Sequence, residues 1–68
     1  MKLSLKACRV NVNATVKEEA EYIGVCEDTV LNWEKGKTSP RRENVIKLLD
    51  FFASKGFYIT VNDIRFLP

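Results

Sequence analysis

Residues 24–40 read GVCEDTVLNWEKGKTSP, and this stretch decides the fold. Gly24 favours a sharp turn, because glycine adopts positive φ without a steric penalty. The residues after it predict a helix over about Glu27–Lys35, with Val30 and Trp33 three positions apart on its apolar side. The glycine and the KTSP segment that follow predict the end of this helix and a basic loop. A turn, a short amphipathic helix and a basic loop therefore occupy the centre of the chain.

A second amphipathic helix precedes this stretch. Thr15 and Glu18 have the T-x-x-E spacing of a capping box, so Thr15 is expected to begin a helix. Val16, Ala20 and Ile23 follow at positions i, i+4 and i+7, which places them on one apolar face. Two helices joined by a short turn that contains glycine form a helix-turn-helix unit.

Helices are also expected on both sides of this unit. Ser4 is a suitable N-cap for a first helix, and Asn13 is suited to the left-handed conformation that closes it. A fourth helix is expected to begin near Arg41 or Arg42. Its inner apolar stripe consists of Val45, Leu48, Leu49 and Phe52, and Ile46, Phe51 and Ala53 widen that stripe.

The tail FYITVNDIRFLP, residues 57–68, admits two interpretations. Its β-branched and aromatic residues favour a strand over Phe57–Val61. Thr60 and Asp63, however, suit the start of a short fifth helix that contains Ile64 and Leu67. The helix is favoured, because a single strand lacks a partner in a helical chain. The prediction is one all-α domain over residues 1–68, a compact bundle of four to five short helices with a central helix-turn-helix.

Composition restricts the class of protein. The chain has 68 residues, 46% hydrophobic and 29% charged, which is typical of one small globular domain. Its apolar runs are far shorter than the roughly 20 residues that cross a bilayer, and its first residues lack the apolar core typical of a signal peptide, so a cytoplasmic protein is expected. The two cysteines, Cys8 and Cys26, are expected to be reduced and mostly buried. With no histidine, no CxxC pair and no nucleophile–base spacing, the sequence predicts no metal, cofactor, small-molecule ligand or enzyme activity.

The net charge of +2 is unevenly distributed. Residues 17–34 carry one lysine and six acidic residues, whereas residues 35–47 carry five basic residues and one acidic residue. A basic segment of this kind is where an anionic partner would be held.

Residues 3–67 resemble the phage Cro/repressor-type helix-turn-helix proteins, the XRE family. The resemblance rests on LKACRVN in the first helix, TVKEEA and IGV in the second, and TVLNWEKGKTSP from the third helix into the loop. The tail ITVNDIRFL resembles the closing helix of that family. The resemblance implies a transcriptional repressor that binds double-stranded operator DNA as a homodimer, with the third helix in the major groove. The ending at Pro68 is compatible with a complete chain or with the DNA-binding part of a longer regulator.

The resemblance also implies roles for individual residues. Base-reading positions correspond to Glu27, Asp28, Thr29 and Asn32. Phosphate-binding positions correspond to Lys35, Lys37, Thr38, Arg41 and Arg42. A structural salt bridge corresponds to Arg9 and Glu34, and Trp33 is interpreted as a core residue.

The acidic residues at the start of the third helix keep two interpretations open. Glu27 and Asp28 complement the helix dipole without any ligand, and one of them can also accept a hydrogen bond from cytosine N4. The alternative is a helix-turn-helix that binds protein, as an anti-repressor or antitoxin partner does. Val16 and Glu19 support this alternative, because the family usually has glutamine and an apolar residue there. Val16 is interpreted as supplying apolar surface that Glu19 does not.

Two further features bear on stability and assembly. Cys26 replaces the usual serine or threonine cap of the third helix, which is expected to weaken the start of that helix. The aromatic residues Phe51, Phe52, Phe57 and Phe66 either fill the core or form a hydrophobic dimer patch on the fourth helix and tail.

Overall fold

A computed structural model describes residues 2–66 of the chain. Its elements are β1 Leu3–Ser4, α1 Leu5–Asn11, α2 Val16–Ile23, α3 Glu27–Lys35, α4 Arg42–Ser54, a 3-10 turn Val61–Asp63, and β2 Ile64–Arg65. Four α-helices contain most of these residues, and α2 packs against both α3 and α4. The predicted helical bundle with a central helix-turn-helix is therefore confirmed.

The first two helices begin at the predicted caps. Ser4 Oγ accepts a hydrogen bond from the backbone N–H of Ala7 at 3.1 Å, and Asn13 after α1 has a φ of 60°. Thr15 and Glu18 form the predicted capping box: Thr15 Oγ1 accepts from the Glu18 N–H at 3.1 Å, and Glu18 Oε1 accepts from the Thr15 N–H at 3.4 Å. These bonds satisfy backbone donors that have no partner within the helix.

Glycines in the left-handed conformation close α2 and α3, as the sequence predicts. Gly24 has a φ of 89° and Gly36 a φ of 79°. A Cβ atom added to Gly24 would have no neighbour within 4 Å, so glycine is favoured there by its backbone conformation rather than by crowding. The turn formed at Gly24 sets the direction in which α3 leaves α2.

One hydrophobic core lies between the helices. Its buried members are Leu5, Cys8, Ala14, Ala20, Ile23, Val30, Trp33, Leu48, Phe51, Phe52 and Ile64. The interpretation of Trp33 as a core residue is confirmed. The aromatic rings pack edge to face, with centroids 5.8 Å apart between Phe51 and Phe52 and 6.3 Å apart between Phe52 and Phe57. Phe66 also packs against the core, so these phenylalanines fill it.

The prediction of a fifth helix in the tail is wrong. The Thr60–Asp63 capping box exists, but it begins only the 3-10 turn, and the chain continues as β2. The strand alternative for Phe57–Val61 is also wrong, because the chain there has no strand pairing. β2 pairs in parallel with β1, with Leu3 opposite Ile64. The argument for a helix assumed that a strand would have no partner, and the N-terminal segment provides one. Leu67, assigned to the predicted helix, lies outside the described residues.

None of the helices within residues 2–66 is long and apolar enough to cross a membrane.

Candidate nucleic-acid interface

α3 has one buried side and one outer side. Val30 and Trp33 face the core and are almost fully buried. Asp28, Asn32 and Lys35 follow one another at i, i+4 and i+7, which places them together on the outer side of the helix. The outer side of α3 is therefore polar and open to a partner.

The four predicted base-reading residues lie in the first two turns of α3. Glu27 and Asp28 are exposed, and Thr29 and Asn32 are half-buried. Both acidic residues lie in the first turn, where a negative charge complements the helix dipole. The structure thus brings these four positions together at one end of one helix.

The loop after α3 is held at both ends by backbone hydrogen bonds. The Lys37 N–H donates to the Asn32 carbonyl at 2.9 Å, and the Gly36 N–H donates to the Trp33 carbonyl at 3.3 Å. This pair of bonds is the Schellman arrangement that closes helices. At the other end, the Arg41 carbonyl accepts from the Asn44 and Val45 N–H groups at 2.9 Å each. The loop is consequently fixed beside the end of α3.

The predicted phosphate-binding residues surround this loop, and all of them are exposed. They are Lys35, Lys37, Thr38, Arg41 and Arg42. Within residues 2–66, the two ion pairs join Arg9 to Glu34 and Lys55 to Glu18, so no carboxylate neutralises the four cations around the loop. The loop that follows the C-terminal end of α3 therefore presents positive charge that no carboxylate of residues 2–66 pairs with.

Arg9 and Glu34 form the ion pair that the resemblance implies, and it ties α1 to α3. Arg9 Nε donates to Glu34 Oε2 at 2.7 Å, and Arg9 Nη2 donates to Glu34 Oε1 at 3.2 Å. The hydrogen bond to Glu34 is the main cause of the raised pKa of Arg9, which burial partly opposes. Arg9 Nη1 also donates to the carbonyl oxygen of Ala14 at 3.1 Å. One side chain thus fixes both α3 and the connection between α1 and α2.

Two lysines of the α4 region fix the ends of α2. Lys47 Nζ donates to the carbonyl oxygen of Ile23 at 3.4 Å, at the C-terminal end of α2. At the other end, Lys55 Nζ lies 2.7 Å from Glu18 Oε2. This bond to Lys55 and the backbone bond with Thr15 lower the pKa of Glu18. The first helix of the helix-turn-helix is therefore attached to α4 at both ends.

Cys26 occupies the N-cap position of α3 with a suitable backbone, φ −74° and ψ 153°, but its side chain caps nothing. The expectation of two buried thiols is wrong for Cys26, which is exposed, and correct for Cys8, which is fully buried. Cys26 is exposed because a cap residue lies outside the helix, on the turn. α3 thus begins without the side-chain hydrogen bond that serine or threonine provides.

Glu19 is a buried residue whose burial the sequence reasoning missed. Its side chain is 2% exposed, and its Oε1 atom has no hydrogen-bond partner. Burial and the nearby Glu34 carboxylate raise the pKa of Glu19 to about 7, and Arg9 opposes the shift. Val16 packs against the core, as the interpretation that it supplies apolar surface requires, and Glu19 lies buried on the same side of α2. The signal was its spacing, three residues after Val16 and four before Ile23.

Leu31 is the second residue that the sequence reasoning missed. It is half-buried, yet it belongs neither to the core nor to the apolar residues that pack against the core. It lies three residues after Asp28 and adds an apolar group to α3 away from the core. The signal available in the sequence was that Leu31 is apolar but does not share the helix face of Val30 and Trp33.

A comparison with known protein families matches residues 5–58 to the family described as helix-turn-helix. The match covers α1 through α4 in full and therefore most of the chain. The chain belongs to the XRE-type helix-turn-helix family. It is accordingly a DNA-binding helix-turn-helix protein. The paired strands β1 and β2 both lie outside the matched residues. No curated protein and no solved structure matches the chain.

Proposed function

We propose that the protein is a phage- or prophage-type repressor that binds double-stranded operator DNA as a homodimer and blocks transcription by occupying the operator. In the proposed complex α3 enters the major groove. The observation that carries the proposal is a group of four exposed cations, from the last residue of α3 to the first residue of α4, that form no ion pair within residues 2–66. Cations that flank a reading helix hold phosphates and fix its register on the duplex.

The proposed roles divide the interface into two groups. Phosphate contacts come from the loop residues Lys35, Lys37, Thr38, Arg41 and Arg42, which carry no sequence information directly. Base contacts come from Glu27, Asp28, Thr29 and Asn32. Asn32 suits a bidentate contact to adenine, and Glu27 or Asp28 suits a contact to cytosine N4. The acidic residues therefore favour cytosine in the operator.

The proposed homodimer uses the outer face of α4 and the tail. Ile46 and Ala53 lie seven residues apart on one face of α4, and Ile46 is 54% exposed. In the tail, Tyr58 is 81% exposed and Val61 is 45% exposed. Exposed apolar groups of this size favour association with another surface. A two-fold dimer would present two α3 helices to half-sites about 34 Å apart.

Selection of duplexes from a random-sequence pool, followed by footprinting and binding at rising salt, tests the proposal. A DNA reader enriches a motif with two half-sites, and its affinity falls with a log–log slope of about −0.9 for each phosphate contact. A flat salt profile without a footprint would reject the repressor and favour the protein-binding helix-turn-helix alternative.

A further inference from the structure

Three ionisable side chains from three helices lie close together where α1, α2 and α3 meet. Arg9 comes from α1, Glu19 from α2 and Glu34 from α3. Arg9 bonds to Glu34 and to the Ala14 carbonyl, while Glu19 Oε1 has no partner. Glu19 is 2% exposed, so its carboxyl group is withdrawn from bulk solvent. The cluster holds two carboxyl groups and one cation.

The other charged groups near α2 do not compensate Glu19. Cys8 faces it from α1, where burial and then Glu19 raise the pKa of the thiol to about 11, so Cys8 remains neutral. Asp63 of the 3-10 turn acts on Cys8 in the same direction. From the α4 region, Lys47 binds the Ile23 carbonyl and Lys55 binds Glu18. Arg9 is consequently the cation for which both Glu19 and Glu34 compete.

We propose that Glu19 is a proton-controlled switch on DNA binding. When its carboxyl group is protonated, Arg9 stays bonded to Glu34 and fixes the position of α3; when the group is ionised, that bond weakens. This inference rests on the proposed DNA-binding function. A buried carboxylate beside a second carboxylate is unfavourable unless a cation or water reaches it. Ionised Glu19 therefore draws Arg9 away from Glu34, and this loosens the contact that positions α3.

Bound DNA and the protonated form of Glu19 are expected to favour each other. The phosphates bring negative charge next to α3, and negative charge nearby favours the protonated form of a carboxyl group. DNA binding therefore favours proton uptake at Glu19, and by linkage a lower pH favours DNA binding. Because burial and Glu34 raise the pKa of Glu19 to about 7, the transition falls near neutral pH.

The test measures the dissociation constant for a duplex enriched from a random pool, at constant ionic strength. If only the protonated form binds, affinity falls about tenfold between about pH 6 and pH 8. Glu19→Gln, a neutral side chain of similar shape, is expected to bind at pH 8 as it does at pH 6. Glu19→Leu provides a second neutral variant should the glutamine protein fold poorly. Glu21→Gln removes an exposed carboxylate from the same helix and is expected to keep the wild-type pH dependence.

A measurement without DNA separates this inference from the proposed function. In the free protein, the NMR signals of the Arg9 Nε–H and the α3 amides are expected to titrate with a midpoint near 7, and to lose this titration in Glu19→Gln. The proposed switch would be overturned if DNA affinity depended on pH in the same way in the wild-type protein and in Glu19→Gln, or if the α3 signals did not titrate. Failure to bind DNA at any pH, with the NMR titration intact, would overturn the repressor function and the DNA coupling but leave the proton-dependent position of α3 established.

Discussion

Arg9 binds Glu34 through two hydrogen bonds of 2.7 and 3.2 Å, and this bidentate contact joins α1 to α3. Both side chains are largely buried, at 14% and 5% exposure. Arg9→Ala or Glu34→Ala is expected to lower the free energy of unfolding by about 3–5 kcal/mol, because each leaves an uncompensated buried charge. Urea unfolding at neutral pH measures the loss.

Two variants complete that experiment. The double variant Arg9→Met/Glu34→Leu is expected to be more stable than either single variant, since neither member of the pair is left without its partner. Lys55→Ala breaks the exposed pair with Glu18 and is expected to leave stability almost unchanged, because solvent screens that pair. Equal losses in Arg9→Ala and Lys55→Ala would contradict the structural role of Arg9.

The ionisation of Glu19 predicts how stability depends on pH. The carboxyl pKa rises from 4.5 to about 7 on folding, so the folded chain binds a proton more tightly than the unfolded chain. This contribution to stability is complete below pH 4.5 and is lost as pH rises through about 7. Relative to Glu19→Leu, the wild-type protein is expected to lose about 3 kcal/mol between about pH 4 and pH 8. Thermal or urea unfolding of both proteins across this range checks the difference, and a constant difference would show that Glu19 does not titrate inside the fold.

Repair of the cap on α3 is expected to stabilise the protein. Cys26 already has the backbone conformation of an N-cap, but its side chain forms no capping hydrogen bond. Cys26→Ser adds a hydroxyl acceptor for the free N–H groups of the first turn, which is worth about 1 kcal/mol. Cys26→Ala lacks that acceptor and serves as the matched control. Equal unfolding midpoints for the two variants would show that a hydroxyl group at position 26 does not stabilise α3.

The features predicted correctly from the sequence are those with local signals. The Thr15–Glu18 capping box and the glycines at 24 and 36 set helix ends through residues close in sequence, so their patterns were sufficient. The tail was predicted wrongly because β2 depends on Leu3 and Ser4, at the opposite end of the chain. Glu19 was missed for a related reason: its spacing places it on the apolar face of α2, but the charged neighbours Arg9 and Glu34 come from distant parts of the chain.

The proposed dimer patch predicts a change in assembly without a loss of folding. Ile46 is 54% exposed on the outer face of α4. Ile46→Asp is expected to raise the dimer dissociation constant at least about tenfold, since the apolar area lost there corresponds to more than about 1 kcal/mol. Val10→Asp changes a residue that is 60% exposed on a different helix and serves as the control. Sedimentation equilibrium measures both, and equal effects of the two variants would contradict a specific patch.

The division between base and phosphate contacts predicts two different losses of DNA binding. Asn32→Ala removes a side chain from the outer side of α3 but keeps the Asn32 carbonyl that closes the helix, so the loop is expected to stay in place. It should relax preference at one base pair, at a cost of about 1–3 kcal/mol for the cognate base. Arg41→Ala should weaken binding to all sequences alike and reduce the salt slope by about 0.9. Affinity for the selected duplex and for single-base variants, measured at several salt concentrations, separates the two. If both substitutions change base preference, Arg41 reads bases and the division is wrong; if neither does, Asn32 lies outside the base contacts and the reading is carried by other residues of α3.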